Sequence, residues 1–144
     1  MVSTILALAL SATLTCHSLQ IAEVAPLSDA NTHVASGPSG TVTVENTPLI
    51  TERQVTGAYV SLTEGQFVLN LDLTPAGGET MRQYTLTHVG SQMAFVVDGK
   101  LIKSARILDP LKGDGLLLGP FSKKRADALA RVVNVSKRGC PGGG

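Results

Sequence analysis

Short runs of alternating hydrophobic and polar residues recur along this chain. Thr41–Glu45 reads Thr-Val-Thr-Val-Glu, the pattern of a strand with one wet face. Pro48-Leu-Ile-Thr-Glu-Arg-Gln follows, where Thr51 with Gln54 three positions on suits the cap of a short helical turn. Ala58–Leu62 and Gln66–Leu73 are β-rich and separated by Thr63-Glu64-Gly65, which predicts a hairpin. In its second strand Phe67, Leu69, Leu71 and Leu73 share one face, and Val68, Asn70 and Asp72 the other. Thr74-Pro-Ala-Gly-Gly breaks the period of two. Helical spacing then runs from Glu79 to Val89, with Met81, Tyr84 or Thr85, and His88 with Val89 on one stripe, and Gly90 placed to end it. Asp98-Gly99 between two β-rich runs predicts a two-residue turn, pairing Val96 with Leu101 and Phe95 with Ile102. Lys112-Gly-Asp-Gly115 makes another turn before a short buried strand, Leu116–Leu118. Ser122 is the natural N-cap of a last helix whose apolar stripe is Ala126, Leu129, Ala130 and Val133.

Strands, helix, hairpin, strand and helix in that order predict an α+β fold: a two-layer sandwich, with a largely antiparallel sheet carrying two helices on one face. The folded domain is expected over residues 41–135. Residues 20–40 are rich in Pro, Ser, Gly, Asn and Asp and hold no lasting period, so they read as a flexible linker. Residues 136–144 end in Cys-Pro-Gly-Gly-Gly and read as a disordered tail.

Residues 2–15 form an uncharged run of apolar and small residues, too short to span a bilayer and of the length of a secretory signal's apolar segment. No Lys or Arg precedes it. The first 19 residues are therefore read as a signal peptide or a lipoprotein-type signal. Cys16 stands where such a signal places its acylated cysteine, although Thr13-Leu14-Thr15 suits that processing poorly; cleavage near Cys16 without acylation is the alternative.

The core must be aliphatic, because the chain has three Phe, two Tyr and no Trp. Residues 1–97 carry two basic side chains, Arg53 and Arg82, against seven acidic ones; residues 98–144 carry ten basic against four acidic. That asymmetry suits two differently charged faces, and equally an ordinary solvated surface. Two cysteines, Cys16 and Cys140, are too few for a disulfide scaffold, and no Cys/His cluster has the spacing of a metal site. His17, His33 and His88 are scattered, and no GxSxG, HExxH or GxxxxGK[ST] motif occurs, so neither an enzyme nor a cofactor is expected.

Four stretches together resemble the head subdomain of the first large periplasmic region of SecD, the protein-export subunit. Its first helix passes a Gly, an aromatic, a Thr and a Gly, matched here by Gly77, Met81, Thr85 and Gly90. Its A-I-V-L-D-G signature is matched by Ala94-Phe-Val-Val-Asp-Gly99. The strand that follows in the family is matched by Lys103-Ser-Ala-Arg-Ile107, and its Gly-x-Phe-Ser/Thr helix entry by Gly119-Pro-Phe-Ser122. Met81 replaces the usual aromatic, Ala105 stands at the family's Pro, and Arg125 stands where Glu is common. The resemblance covers residues 48–134. SecD carries multiple membrane spans that couple export to the proton gradient, and no such span is read in this sequence. The resemblance thus implies the head's fold and its contacts with unfolded or partner proteins outside the cytoplasm, without the export motor.

The expected function is that of an exported, periplasmic or envelope-associated protein-binding module. It would use sheet-edge backbone groups and a basic surface of Lys100, Lys103, Lys112, Lys123, Lys124 and Arg125. The alternative is an anion- or envelope-surface binder using the basic C-terminal half, with a small hydrolase as a lesser one. No nucleic-acid partner is indicated.

Overall fold

A computed structural model describes residues 18–139 except Leu27 and Asp114; of residues 136–139 only the backbone is described. The signal-like run, Cys16, His17, Cys140 and the final glycines lie outside the described residues. In chain order the elements are β1 (Leu19–Glu23), β2 (Thr32–Gly37), β3 (Gly40–Glu45), β4 (Ile50–Thr51), β5 (Val55–Thr63), β6 (Gln66–Leu73), α1 (Pro75–Thr87), β7 (Gln92–Val97), β8 (Lys100–Arg106), β9 (Gly115–Phe121) and α2 (Lys123–Gly139).

The fold is α+β and mostly antiparallel, but its strands divide between two sheets. A six-stranded sheet runs β3-β2-β8-β7-β1-β4 and a three-stranded sheet runs β5-β6-β9. Among the described residues only β2 and β8 pair in parallel, at Ser36 and Lys100.

The stretch expected as a linker is part of the fold. β1 lies between β7 and β4, and β2 lies between β3 and β8. The reason is in Met93-Ala-Phe-Val-Val97, whose buried residues 94–97 show no alternation. A strand apolar on both faces needs cover on both. Phe95 and Val97 face the main core with Leu19, Ile21, Leu69 and Met81. Ala94 and Val96 face a second, smaller core with Ala22, Ala35, Val44 and Leu101. The six-stranded sheet curls around this second core, so the chain beyond β1 meets β3. Val24 bridges Val44, and the Ala25 N–H donates to the Thr43 carbonyl at 2.8 Å.

The two predicted hairpins form around left-handed turn residues, Glu64-Gly65 (φ 50° and 80°) and Asp98-Gly99 (φ 52° and 81°). Val96 faces Leu101 as expected, but Phe95 faces Lys103 rather than Ile102, because a bulge intervenes. That bulge lets the adjacent Leu101 and Ile102 both be buried, one in each core. The predicted turn at Thr51 is a 3-10 turn, Glu52–Gln54, closed by a capping box between Thr51 and Gln54.

α1 starts four residues before the predicted Glu79. The Thr74 hydroxyl accepts from the Gly77 N–H at 3.0 Å and Pro75 takes the first helical position, where its missing N–H costs nothing. Gly77 and Gly78, expected as a break, are buried inside the first turn. α2 begins after Ser122, whose hydroxyl accepts from the Arg125 N–H. It extends four residues into the expected tail, since no Gly or Pro interrupts residues 123–138 and Gly139 closes it.

Candidate functional site

The three-stranded sheet has two edges, and they are treated differently. On β5, Ala58 is opposite Leu71 of β6. Its backbone N–H and C=O turn outward and meet one side chain of α2: the N–H donates to Asn134 Oδ1 (3.0 Å), and Asn134 Nδ2 donates to the carbonyl (2.9 Å). The amide stands in for a further strand and closes this edge.

Antiparallel pairing alternates, so Leu71 must direct its own backbone groups to β9. The Leu71–Leu116 and Leu69–Leu118 pairs therefore carry that ladder. Leu117, opposite Asn70, is left with its N–H and C=O directed away from the sheet, toward β8. No described strand pairs there.

Between β9 and β8 lies a cleft of about 740 Å³. It wraps the β9 edge. Tyr59, Asn70, Asp72 and Leu117 line it on the outer face of the sheet, and Leu71, Leu116 and Leu118 on the inner face. Its far wall is Lys103, Ala105 and Arg106 of β8; Ile21, Met93, Phe95 and Thr85 form the floor. Leu117 and Tyr59 are 65% and 53% exposed, an apolar pair facing water on either side of Asn70. At one end Lys103 Nζ sits 6.0 Å from the centroid of Phe121. At the other, residues 107–113 arch over α1.

Three contacts pin that arch. Ile107 exchanges backbone hydrogen bonds with Ser91 and Gly90, both at 2.8 Å. The Leu111 N–H donates to Thr85 Oγ1 (2.8 Å), while Thr85 donates to the Met81 carbonyl (2.8 Å), so this fully buried hydroxyl is satisfied in both roles. Gly113 lies against Gly78 so closely that a Cβ on Gly78 would overlap the Gly113 carbonyl. Leu108, Asp109 and Pro110 are left as the exposed rim.

The perturbed titratable groups lie outside the cleft. Burial pushes the Tyr84 phenol up, and the Glu23 carboxylate, by its charge and as a hydrogen-bond acceptor, and the Glu45 charge add to the shift; the buried hydroxyl makes no hydrogen bond of full geometric quality. Its ring stacks on His88 at 3.9 Å, and His88 Nδ1 lies 2.8 Å from the Tyr84 carbonyl. Hydrogen bonds from Arg82 and Gln83 hold the exposed Glu79 carboxyl down at about 2. Among the described residues, no three His, Cys, Asp or Glu are grouped to hold a metal.

The six cations expected as a binding surface are dispersed. Lys103 lines the cleft. Lys100 sits at the β7–β8 turn beside β2, and Lys112 on the arch next to Gly113. Lys123, Lys124 and Arg125 open α2, with Lys123 paired to Asp127 at 2.9 Å. Sequence reasoning missed Tyr59, Asn70, Leu108 and Leu117. The signal was Leu116-Leu117-Leu118, where a strand with one buried face leaves its middle leucine outside.

These elements match a known architecture. The family model described as "SecDF, P1 head subdomain" matches residues 23–136. The chain belongs to the SecDF P1 head family. The Protein translocase subunit SecD of Aquifex aeolicus (strain VF5) is 27% identical over 99 residues, covering 68% of this chain and 20% of that protein. The SecD of Dictyoglomus turgidum is 33% identical over 72 residues, covering 49% of this chain and 18% of that protein. The head thus spans about a fifth of the length of these curated relatives. Two solved structures share its fold. One, described as "Structure and function of a membrane component SecDF that enhances protein export", has a TM-score of 0.64 at 18% identity, covering 88% of this chain and 66% of that one. The other, "Crystal structure of SecDF in Super-membrane-facing form", has a TM-score of 0.65 at 17% identity, covering 91% and 20%. Among the described residues of this head, no helix is long and apolar enough to cross a membrane.

Proposed function

We propose that this head binds extended polypeptide segments in the cleft between β8 and β9, on the exported side of the membrane. The observation that carries the reading is the unpaired β9 edge, exposed within an apolar cleft while the opposite edge of the same sheet is closed by Asn134. An unfolded chain supplies what such an edge lacks, a row of backbone donors and acceptors. Its alternate side chains would fall on the inner floor at Phe95 and Leu116 and on the outer face at Leu117 and Tyr59. Membership of a protein-export family and the signal-like run at residues 2–15 support a place outside the cytoplasm.

The test is fluorescence anisotropy with a labelled, permanently unfolded protein against its folded form. The unfolded form should bind and the folded form should not. Leu117→Pro removes the outward N–H together with the exposed leucine side chain and spares the ladder through Leu116 and Leu118. It should weaken binding by about tenfold, the loss of one well-placed hydrogen bond in an apolar site, while the melting temperature stays close to the parent's. Equal binding by parent and Leu117→Pro would reject the β9 edge as the site.

A further inference from the structure

The cleft is charged unequally along its length. β9 runs antiparallel to β6, so Asp72 lies opposite Gly115 and Phe67 opposite Phe121. Lys103 marks the Phe121 end through its contact with that ring. Asp72 marks the Gly115 end, and Asp109 on the arch lines the cleft as well. Five strand residues separate the two ends, about 16 Å. Among the described residues, none of Lys103, Asp72 and Asp109 has an ion-pair partner. Arg106 also lines the cleft, but its guanidinium is turned onto the Gly90 carbonyl at 2.7 Å.

We propose that this polarity fixes the direction and the sequence preference of the segment in the cleft. The inference rests on the reading above, that the cleft takes an extended chain. Antiparallel pairing with β9 is the more stable arrangement per residue. It places the N-terminal end of the segment near Phe121 and its C-terminal end near Gly115. Pro120 has no N–H, so pairing along β9 stops short of it. The N-terminal end of the segment therefore meets the Lys103 ammonium and its C-terminal end meets the Asp72 and Asp109 carboxylates. The preferred occupant is a strand-like segment with an acidic residue about five positions before a basic one, with β-branched or aromatic residues facing the floor between them. Lys103 and Asp72 are the specificity-determining residues, and they act through charge complementarity across the length of the cleft.

Two synthetic peptides of identical composition test this. Each is about ten residues long, capped at both ends, with Val and Ile at alternate positions. One carries Glu near its N-terminal end and Lys five positions later; the other exchanges the two. Both are titrated by anisotropy at low salt against the full chain. The Glu-first peptide should bind about threefold to tenfold more tightly, the range for two partly exposed ion pairs made rather than opposed. The double variant Lys103→Glu/Asp72→Lys should reverse that order. Both positions are partly or fully exposed, so the melting temperature of the variant checks that the fold is retained. Equal affinities that remain sensitive to Leu117→Pro would overturn the directional inference and leave the binding site standing. Tighter binding of the Lys-first peptide to the parent chain would overturn the direction alone. Binding of neither peptide would overturn both.

Discussion

Gly78→Ala offers a sharp test of how the cleft is held open. On helix propensity alone the change should stabilise: glycine inside a helix is disfavoured against alanine by about 0.5–1 kcal/mol. Gly78 sits in the first turn of α1, fully within the helix. There the Cβ of an alanine would overlap the Gly113 carbonyl. The obstacle is backbone, so it cannot rotate away as a side chain would. Gly113 is itself held at φ +98°, which limits how the arch can move. Overpacking of this kind costs about 1–3 kcal/mol and more where the neighbour is stiff. After the propensity gain, a net loss of about 0.5–2 kcal/mol remains. For a domain of about 120 residues, each kcal/mol lowers the melting temperature by about 4 °C. The expected drop by calorimetry or circular dichroism is therefore about 2–8 °C. The arch would lift with its Leu111–Thr85 hydrogen bond, so peptide binding should also weaken well below the melting temperature. A variant that melts at or above the parent would refute the close approach of α1 and the arch, and with it the account of what keeps β8 and β9 apart.

Two further outcomes follow from the same structure. Asn134→Ala removes both hydrogen bonds that close the β5 edge, at about 0.5–1.5 kcal/mol each; it should lower the melting temperature by several degrees and raise self-association in sedimentation velocity, and an unchanged monomer with unchanged melting would sink the edge-closing role. Tyr84→Phe deletes a buried hydroxyl whose acceptor, the Glu23 carboxylate, is not met in full hydrogen-bond geometry, so stability at neutral pH should change little. The folded phenol titrates above its ordinary value near 10, so its contribution is complete below about pH 10 and is lost as pH rises, when the unfolded chain ionises first. The parent should therefore lose stability faster than the variant above about pH 10, and parallel curves would contradict the burial of this group.

Local chemistry was the legible part. Thr63-Glu64-Gly65 and Asp98-Gly99 specify their turns by backbone conformation, and Ser122 specifies a helix start by a single hydroxyl. The alternation of Phe67, Leu69, Leu71 and Leu73 was readable because one face of β6 is buried and Asp72 is exposed. Residues 20–40 were misread because their contribution is small side chains. Ala22 and Ala35 leave little hydrophobic signal, yet both are fully buried in the second core. The compensating clue was the unbroken Ala94–Val97 run, which required cover on a second face and found most of it upstream, at Ala22, Ala35 and Val44. Gly77 and Gly78 read as a break because glycine usually is one; what they supply is close approach, which depends on Gln54 and Gly113, residues distant in sequence.

The cleft was illegible for a related reason. Consecutive strands joined by a short turn ordinarily pair, and β8 and β9 are consecutive. Nothing in either strand forbids it. They stay apart because the segment between them is committed elsewhere: Ile107 to Ser91, Leu111 to Thr85, Gly113 to Gly78. Each of those anchors belongs to α1 or to the turn after it. β9 is meanwhile held by β6 through Leu116 and Leu118, and β8 by β7. The open edge is thus produced by the arch and its anchors on α1 rather than by the two strands themselves. Counting cations along the C-terminal half could find Lys103, but not the gap that gives Lys103 something to face. The residues that decide whether the cleft exists are buried glycines and a threonine on α1, and the residues proposed to decide what enters it, Lys103 and Asp72, are on β8 and β6.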